Sequence, residues 1–345
     1  MAFFEFKNLK IAGIAAGVPK KVVKSENLNL SSDYDAAAFI ETTGIRERRY
    51  SNDFTTSDLC YAAAEKLIVD LGWNKSEIGI LVFVSQNADY ILPATACILQ
   101  SRLGLSKECY AEDIALGCSG WVYGLSTIAG LMSAGSVKKA LLLAGDAKRR
   151  AEYDLDTLMG FSGTATAIEY EEGVTGFKFH IGTDGDGYKS ILIPDGGARN
   201  MTTLHSFDLE EVDGKMINRL TPRMDGMDVF SFAITVPPKS IKKLAEHYSF
   251  DYQNADYFVF HQGNVIMLNK IIKKLKVDKE KMPLSLPYFG NTSSASIPIT
   301  IATQLKGKIE NRHTKFIGCG FGVGLSWGTV AFETDSIIIS DLVEL

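Results

Sequence analysis

An internal repeat is the feature of this sequence that most constrains its fold. Three pairs of stretches match in the same order along the chain: Leu81–Ala88 with Tyr257–Asn264, Leu116–Gly120 with Phe289–Ser293, and Leu141–Gly145 with Ile317–Phe321. The first and third pairs share one spacing, and the second differs from it by only a few residues. Because nearly one spacing relates all three pairs, the chain is predicted to contain a duplicated unit.

The repeated unit alternates strands with helices. Apolar runs and helical spacing of apolar side chains predict strands over residues 9–18, 78–84, 109–116 and 140–144, and helices over residues 32–44, 56–71, 93–103, 122–134 and 295–305. A length of 345 residues accommodates two units or one large body. The predicted fold class is therefore α/β, with two copies of a unit that stacks strands against helices.

Side chains suited to chemistry occupy three of the repeated strand-to-helix corners. Cys118 lies between a predicted strand and a predicted helix, His261 follows an apolar strand, and Asn291 is the counterpart of Cys118 in the second copy. In a pseudo-twofold body, equivalent corners converge near the axis, so these three side chains are expected to meet. The counterpart of His261 is Ser85, so the copies differ where a site is expected. The helix predicted to begin beside Cys118 would place its positive end and unpaired N–H groups near the sulfur, which favours the thiolate form of Cys118.

Each of these residues also has a purely structural interpretation. Cys118 could pack at a helix start, His261 could be a satisfied core histidine, and Asn291 could cap a helix, which is compatible with catalysis.

Two glycine-rich stretches are interpreted as loops. Residues 318–328 lack the Lys-Ser/Thr of a phosphate loop, and residues 183–187 lack the later ligands of a calcium loop. No metal site is predicted.

Charge and composition exclude several classes of protein. The formal net charge of −5 gives no reason to bind nucleic acid or an anionic membrane surface. No run of about 18 apolar residues occurs, and the first residues lack the pattern of a secretory signal. The five cysteines lack C-x-x-C spacing, as expected of reduced thiols. The chain is therefore expected to be cytoplasmic, without membrane insertion.

Six motifs follow one another along the chain. They are Thr43-Gly-Ile-Arg-Glu-Arg48, Asp113-Ile-Ala-Leu-Gly-Cys-Ser-Gly120, Met224-Asp-Gly-Met-Asp-Val-Phe230, His261-Gln-Gly-Asn264, Gly290-Asn-Thr-Ser-Ser-Ala-Ser-Ile-Pro298 and Gly320-Phe-Gly-Val-Gly-Leu-Ser-Trp-Gly328. In sequence and in order they resemble the motifs of the β-ketoacyl-acyl-carrier-protein synthase III family, condensing enzymes with the thiolase fold. The resemblance covers most of the chain.

The resemblance implies a thiolase-like α/β fold with five layers, α-β-α-β-α, and two pseudo-twofold-related halves. Residues 1–175 would form the half that carries the nucleophilic cysteine, and residues 176–345 the half that carries the histidine and the asparagine. It also implies a homodimer, in which the segment around Leu92-Pro93 resembles one that lends a residue to the partner's acyl pocket. For the tail beyond residue 334, an extra edge strand is expected.

The same resemblance implies a catalytic triad of Cys118, His261 and Asn291, and an oxyanion hole formed by the backbone N–H groups of Cys118 and Gly324. Cys118 would accept an acyl group from an acyl thioester, and a malonyl thioester, expected on an acyl-carrier protein, would then lose carbon dioxide and condense with it. Asn291 favours condensation because an amide can donate a hydrogen bond to an enolate oxygen, whereas an ionised Asp could only accept one.

Two other functions are compatible with the sequence. A thiolase-fold acyltransferase would move the acyl group to oxygen or nitrogen without condensation. A non-condensing partner subunit is the second, although such a protein would normally have lost the cysteine. No permanently bound cofactor is expected, and the substrate is an acyl-coenzyme A or an acyl-carrier-protein thioester.

Three positions depart from the pattern of residues that bind coenzyme A in the family. Ala38 stands where a Trp is common, Thr42 replaces an Arg, and Ile266 replaces a second Arg. Arg150 remains near its expected place, and it is predicted, with Asn264, to contact the cofactor. Because an aromatic stack and two cations are lost, the acyl donor is expected to differ from simple acetyl-coenzyme A.

Overall fold

The computed structural model describes residues 2–28, 34–147 and 157–345. Its strands are β1 (Ala2–Phe6), β2 (Leu9–Val18), β3 (Val22–Lys24), β4 (Glu47–Arg49), β5 (Ile78–Val84), β6 (Tyr110–Ile114), β7 (Lys139–Asp146), β8 (Ser162–Tyr170), β9 (Phe177–Thr183), β10 (Ile191–Leu192), β11 (Glu210–Val212), β12 (Lys215–Ile217), β13 (Arg223–Met224), β14 (Tyr257–Phe260), β15 (Thr314–Gly322), β16 (Ser326–Thr334), β17 (Ile338–Ile339) and β18 (Val343–Glu344). Its α-helices are α1 (Ala36–Thr43), α2 (Thr56–Leu71), α3 (Thr95–Arg102), α4 (Gly120–Ala134), α5 (Gly226–His247), α6 (Val265–Leu275), α7 (Leu286–Phe289) and α8 (Ser296–Gln304).

Two sheets carry the duplicated unit. Within the described residues, the larger sheet has the order β17-β2-β8-β7-β5-β6, with β18 also paired to β2, and the smaller has the order β1-β9-β16-β15-β14. In the larger sheet, β8 is antiparallel to β2 and to β7, and β7 is parallel to β5. The strands β9, β16, β15 and β14 repeat these directions. The shared order confirms the duplication that the repeat predicts.

Each sheet is buried on both faces, which produces five layers. The inner faces of both sheets pack against α4 and α8 in one central core. The outer face of the larger sheet is covered by α2 and α3, and that of the smaller sheet by α5 and α6. Alternate residues of β5 show the two-sided burial, since Val82 and Val84 face the central core and Leu81 and Phe83 face the outer one. The predicted α-β-α-β-α architecture is confirmed.

The ends of the chain cross between the two predicted halves. Strand β1 belongs by sequence to the first half but pairs with β9 in the smaller sheet. Strands β17 and β18, in the tail, pair in parallel with β2 in the larger sheet, as the expected edge strand would. The division into residues 1–175 and 176–345 stays a prediction, and these strands tie the two parts together.

Most predicted elements lie close to their observed bounds. The predicted helix over residues 56–71 and the predicted strands over residues 9–18 and 78–84 match α2, β2 and β5. Helix α3 begins at Thr95 because the Asp113 carboxylate accepts hydrogen bonds from the backbone N–H groups of Thr95 and Ala96. Among the described residues, the helices are all too short or too polar to cross a bilayer.

Candidate active site

Cys118 lies just before α4, against the glycine-rich end of β15 from the other half. A Cβ on Gly320 would lie 2.7 Å from the carbonyl oxygen of Cys118. A Cβ on Gly322 would lie 2.7 Å from the Cβ of Cys118 and 3.0 Å from its Sγ. Glycine is therefore required for this close approach, which leaves the half-buried Cys118 side chain at the junction of the two halves.

Ser293 contacts Cys118 and Asn291 directly and is joined to His261 through Ser296. Its Oγ lies 3.9 Å from Cys118 Sγ, and its backbone N–H donates to Asn291 Oδ1 at 2.9 Å. Its backbone carbonyl accepts the hydroxyl proton of Ser296 at 2.8 Å, and that hydroxyl lies 3.1 Å from His261 Nδ1. Ser293 is buried and sits in the short 3₁₀ turn Ser293–Ala295 before α8. The structure thus brings Cys118, His261 and Asn291 around one residue.

The neighbours of His261 define its tautomer. Nδ1 lies 3.1 Å from Ser296 Oγ, and the hydroxyl of Ser296 donates its one proton to the carbonyl of Ser293 at 2.8 Å. Ser296 can therefore only accept from His261, so Nδ1 carries the ring proton. Nε2 is left with a free lone pair for a group entering the site.

Asn291 is oriented by the same turn. Its side-chain oxygen accepts the backbone N–H of Ser293, which leaves its amide NH₂ group free to donate. Its backbone is also fixed, since its N–H donates to Leu158 O and its carbonyl accepts from Gly160 N, both at 2.9 Å. The asparagine thus presents a hydrogen-bond donor rather than an acceptor.

Burial keeps the sulfur and the imidazole neutral. Burial raises the pKa of the Cys118 thiol to about 12, and the charge of Asp146 adds to the rise. The hydroxyl of Ser293 and, to a smaller extent, the backbone N–H groups of Cys118 and Val323 lower this pKa against the effect of burial. Burial lowers the pKa of His261 to about 4. The thiolate predicted from the helix start is therefore wrong for the free protein, because desolvation outweighs the helix end.

Gly324, which is predicted to supply one N–H of the oxyanion hole, is adjacent in sequence to a neighbour of the sulfur. The backbone N–H of Val323 lowers the pKa of the Cys118 thiol, and Gly324 follows Val323 in the left-handed conformation with φ of 74°. A Cβ on Gly324 would meet no atom within 4 Å, so its Cα faces open space. That space and the nearby N–H groups fit a site for a carbonyl oxygen, and the assignment to Cys118 and Gly324 stays a prediction.

The sequence pattern does not single out two polar residues beside the site, Ser293 and Asp146. Asp146 ends β7 and is buried, and its counterpart in the repeat is Gly322. The signal that identified His261, a polar side chain directly after a buried strand, also marks Asp146.

The positions predicted to contact a cofactor lie at the surface near the site. Ala38 and Thr42 are exposed on α1, which packs beside α6, and Ile266 is exposed on α6. Asn264 caps α6, since its Oδ1 accepts from the backbone N–H groups of Ile266 and Met267. Its cofactor contact stays a prediction, and Arg150 lies outside the described residues.

Comparisons with known proteins agree with this architecture. A family model described as 3-oxoacyl-[acyl-carrier-protein (ACP)] synthase III matches residues 112–185, and its C-terminal counterpart matches residues 246–334. The β-ketoacyl-[acyl-carrier-protein] synthase III of Streptococcus agalactiae is 30% identical over 329 residues, covering 93% of this chain and 98% of that protein. The Streptococcus mutans enzyme of the same name is 31% identical over 328 residues, with the same coverages.

Solved structures show the same fold. The 3-oxoacyl-(acyl-carrier protein) synthase of Burkholderia xenovorans superimposes with a TM-score of 0.89 at 34% identity, covering 100% of this chain and 99% of that one. OleA of Xanthomonas campestris, at 20% identity, shares the fold with a TM-score of 0.78 and covers 95% of this chain and 97 to 98% of its own.

The duplicated five-layered body, with a cysteine at the junction of its halves, defines a thiolase-fold condensing enzyme, a kind of transferase. Full-length similarity to named relatives narrows this class. The chain belongs to the β-ketoacyl-acyl-carrier-protein synthase III family of fatty-acid synthesis.

Proposed function

We propose that Cys118, His261 and Asn291 carry out a two-step decarboxylative condensation that yields a β-ketoacyl product. The observation that supports this most directly is the position of Ser293, which contacts Cys118 and Asn291 directly and His261 through Ser296. An arrangement built only for packing would not leave the His261 Nε2 lone pair and the Asn291 NH₂ group both free at one cysteine.

In the first step, Cys118 takes the acyl group. Its S–H proton passes to the free Nε2 of His261 as the sulfur attacks the thioester carbonyl. The N–H groups of Cys118 and Gly324 stabilise the oxyanion. The carbon–sulfur bond of the donor then breaks, the carrier thiol leaves as a thiolate, and the new thioester on Cys118 remains.

In the second step, a malonyl thioester condenses with the acyl group. Its carboxylate carbon–carbon bond breaks to release carbon dioxide, and the electron pair forms an enolate. The Asn291 NH₂ group and the protonated Nε2 of His261 donate to the enolate oxygen. The enolate carbon bonds to the acyl carbonyl carbon, the Cys118 thiolate is expelled, and it recovers the proton from His261.

An acyl-carrier protein is the proposed partner, with a basic face of α5 and α6 as its docking surface. The exposed lysines of this face are Lys239, Lys242, Lys243, Lys270, Lys273 and Lys274. Helix α6 begins directly after the loop that holds His261, so a carrier bound there would deliver its thioester to the site. A local excess of positive charge on a chain of net charge −5 favours an acidic partner.

The acyl donor is proposed to differ from acetyl-coenzyme A. Ala38 and Thr42 present neither a ring nor a cation on α1, and the neighbouring Ile266 presents an apolar side chain. This surface therefore offers no stacking partner and no charge to a nucleotide at these positions. An acyl group on a carrier protein, or a longer acyl-coenzyme A, is therefore proposed as the donor in place of acetyl-coenzyme A.

A homodimer is also proposed. Tyr90, Ile91 and Leu92 are consecutive and 64%, 101% and 84% exposed. Three large apolar side chains exposed in a row favour burial against another chain. Light scattering that gives the mass of a single chain at micromolar concentration would refute the dimer.

Mass analysis of the Cys118 peptide tests the acyl-enzyme. The protein is incubated in turn with acyl-coenzymes A and acyl-carrier proteins of increasing chain length, with Cys118→Ser as the control. We expect an adduct on wild-type Cys118 and none on the variant. No adduct with any donor would refute the acyl-enzyme and favour a non-condensing subunit, and preferential acetylation from acetyl-coenzyme A would refute the proposed donor.

Addition of malonyl-acyl-carrier protein to the acylated enzyme tests the second step. Condensation releases one carbon dioxide for each acyl group that leaves Cys118. Loss of the acyl group to a hydroxyl or amine without carbon dioxide would favour the O- or N-acyltransferase instead.

A further inference from the structure

One motif of the sequence, residues 43–48, has no part in the proposed chemistry, although it lies against the chain that carries Asn291. The motif runs from the end of α1 into β4. Its last residue, Arg48, is only 5% exposed. Withdrawing a charged guanidinium from water costs free energy, which the fold or the function must offset. The contacts of Arg48 therefore indicate what the motif does.

A short parallel bridge fixes the backbone of Asn291. Its partner in the bridge is Met159. The N–H of Asn291 donates to Leu158 O, and the N–H of Gly160 donates to Asn291 O, both at 2.9 Å. The bridge is isolated from the strands of the sheets. The position of Asn291 therefore depends on where the segment 158–160 lies.

The backbone around β4 is hydrogen-bonded to both chains of this bridge. The N–H of Arg46 donates at 3.1 Å to Pro287 O, in the helix α7 that precedes the bridge. The carbonyl of Arg49 accepts at 2.8 Å from Phe161 N, directly after the other chain of the bridge. These backbone contacts place β4 beside both chains, and they do not depend on the side chain of Arg48.

The two chains touch at a pair of glycines, and Arg48 packs beside both. A Cβ on Gly160 would lie 1.7 Å from Phe289 O, and a Cβ on Gly290 would lie 2.8 Å from Leu158 O. The Cβ of Arg48 is 3.5 Å from the Cβ position of Gly160 and 3.3 Å from that of Gly290. The base of the arginine side chain thus rests on the contact between the two chains.

The charged end of Arg48 holds the same segment by a hydrogen bond. Its Nη1 donates to Met159 O at 2.9 Å. The bridge uses the carbonyl of Leu158 and leaves that of Met159 to Arg48. A hydrogen bond from an ionised donor is stronger than one between neutral groups. Arg48 therefore contacts the partner of Asn291 at both ends of its side chain.

We propose that Arg48 is a positioning residue, which holds the Asn291 NH₂ group where the enolate oxygen forms. Arg48 fixes the segment 158–160, this segment fixes the backbone of Asn291, and the Ser293 N–H orients the amide. A donor that stabilises a developing charge must be held within about 0.5 Å of its productive position. The role assigned to Asn291 rests on the proposed function.

The two half-reactions distinguish this role from a general loss of structure. In the proposed mechanism, acylation uses Cys118 and His261, whereas condensation also needs the donor of Asn291. A displaced Asn291 should therefore slow condensation and leave acylation unchanged. A substitution that only loosened the fold would slow both steps.

Arg48→Met tests the proposal, because it keeps an aliphatic side chain over the glycines and removes the charged donor. The enzyme is loaded with the shortest acyl-coenzyme A or acyl-carrier protein that acylates the wild type, and malonyl-acyl-carrier protein is then added. The mass of the Cys118 peptide gives the acylation rate, and carbon dioxide release gives the condensation rate. We expect kcat for condensation to fall at least about tenfold, with acylation and KM for the malonyl donor within about twofold. Equal slowing of both half-reactions would overturn the proposal.

A double-mutant cycle with Asn291→Ala tests whether Arg48 acts through Asn291. If it does, Arg48→Met should slow condensation no further once Asn291→Ala is present, because substitutions that act through one group are not additive. Losses that multiply in the double variant would mean that Arg48 acts by another route, and the proposal would be wrong.

Arg48→Lys keeps a positive charge and a donor, and it keeps the proposal testable if Arg48→Met fails to fold. Its shorter reach should restore only part of the hydrogen bond to Met159 O. We expect its condensation rate to lie between those of the wild type and Arg48→Met, with normal acylation. A condensation rate equal to that of the wild type would show that the planar guanidinium is not required and would contradict the proposed positioning.

Arg46→Met is the matched control, since it makes the same change on an exposed arginine of the same motif. Both half-reactions should proceed there at the wild-type rate, and a condensation loss equal to that of Arg48→Met would overturn the proposal. The Asn291→Ala variant separates this inference from the proposed function. Normal condensation by Asn291→Ala would refute the proposed function and this inference with it. Normal condensation by Arg48→Met beside a slow Asn291→Ala would refute this inference alone.

Discussion

At the residue scale, the space beside the Cys118 sulfur depends on Gly322, the last residue of β15. Gly322→Ala would put a methyl group 2.7 Å from the Cβ of Cys118 and 3.0 Å from its Sγ. Both distances are shorter than normal van der Waals contact, so the sulfur must move. We expect acylation of Cys118 to slow at least about tenfold, and unfolding to become easier by about 1–3 kcal/mol. Single-turnover acylation and denaturant titration measure the two effects.

Gly318→Ala is the matched control for that substitution. It lies on the same strand, where a Cβ would come 3.1 Å from Val330 and 3.6 Å from Trp121, away from the sulfur. A modest loss of stability with normal acylation is expected. Acylation of Gly322→Ala at the wild-type rate would contradict the role given to this glycine.

Individual residues of the site differ in how far the sequence predicts them. Cys118, His261 and Asn291 were identifiable because the repeat places each at a corner, and corners of a duplicated fold converge. Asp146 and Ser293 were not, since their contacts, with Ser294 and with Cys118 respectively, cross between the two halves. Such a contact depends on how the halves pack, which no local pattern contains. The protonation of Cys118 was mispredicted for the same reason, because burial is a property of the whole fold.

At the element scale, α6 joins the candidate site to the proposed carrier surface. Lys273→Glu with Lys274→Glu reverses two exposed charges in its last turn. We expect KM for a carrier-bound substrate to rise about tenfold at low salt with kcat little changed, because docking charges act on encounter. The effect should shrink as salt screens the charges. Steady-state kinetics at two ionic strengths measure it.

The control for this pair is Lys20→Glu with Lys21→Glu, which changes the net charge equally on two exposed residues after β2. Normal KM is expected there. A KM that is unchanged in the α6 variant, or raised equally in both variants, would count against α6 as the docking surface. Neither result would count against the proposed acyl-enzyme on Cys118.

Elements were predictable where their signals are local. Helix α2 has a capping box at Thr55 and Asp58 and ends at Gly72, so its bounds follow from the sequence. The pairing of β1 with β9, and of β17 and β18 with β2, joins segments far apart in the chain. An edge strand in the tail was expected, but its partner was not, because pairing depends on which sheet edge remains open.

At the scale of the whole molecule, two buried histidines make stability depend on pH. Burial lowers the pKa of both His261 and His180 to about 4, whereas an unfolded histidine titrates near about 6.5. Between these values the unfolded chain binds protons that the native state does not. Stability is therefore full above pH about 6.5 and falls as the pH drops towards 4. The raised pKa of Asp146 acts in the opposite direction over part of this range.

Comparing His261→Gln with the wild type isolates the contribution of His261 to the pH dependence of stability, because the opposing contribution of Asp146 is common to both proteins. For a ring as buried as His261, the loss between pH 7.5 and pH 4.5 should be up to about 3 kcal/mol. We expect the variant to lose less stability over that interval than the wild type. Denaturant unfolding at fixed protein concentration measures the difference, since assembly would otherwise shift it. Parallel losses in the two proteins would mean that His261 is already protonated, or is exposed, in the native state.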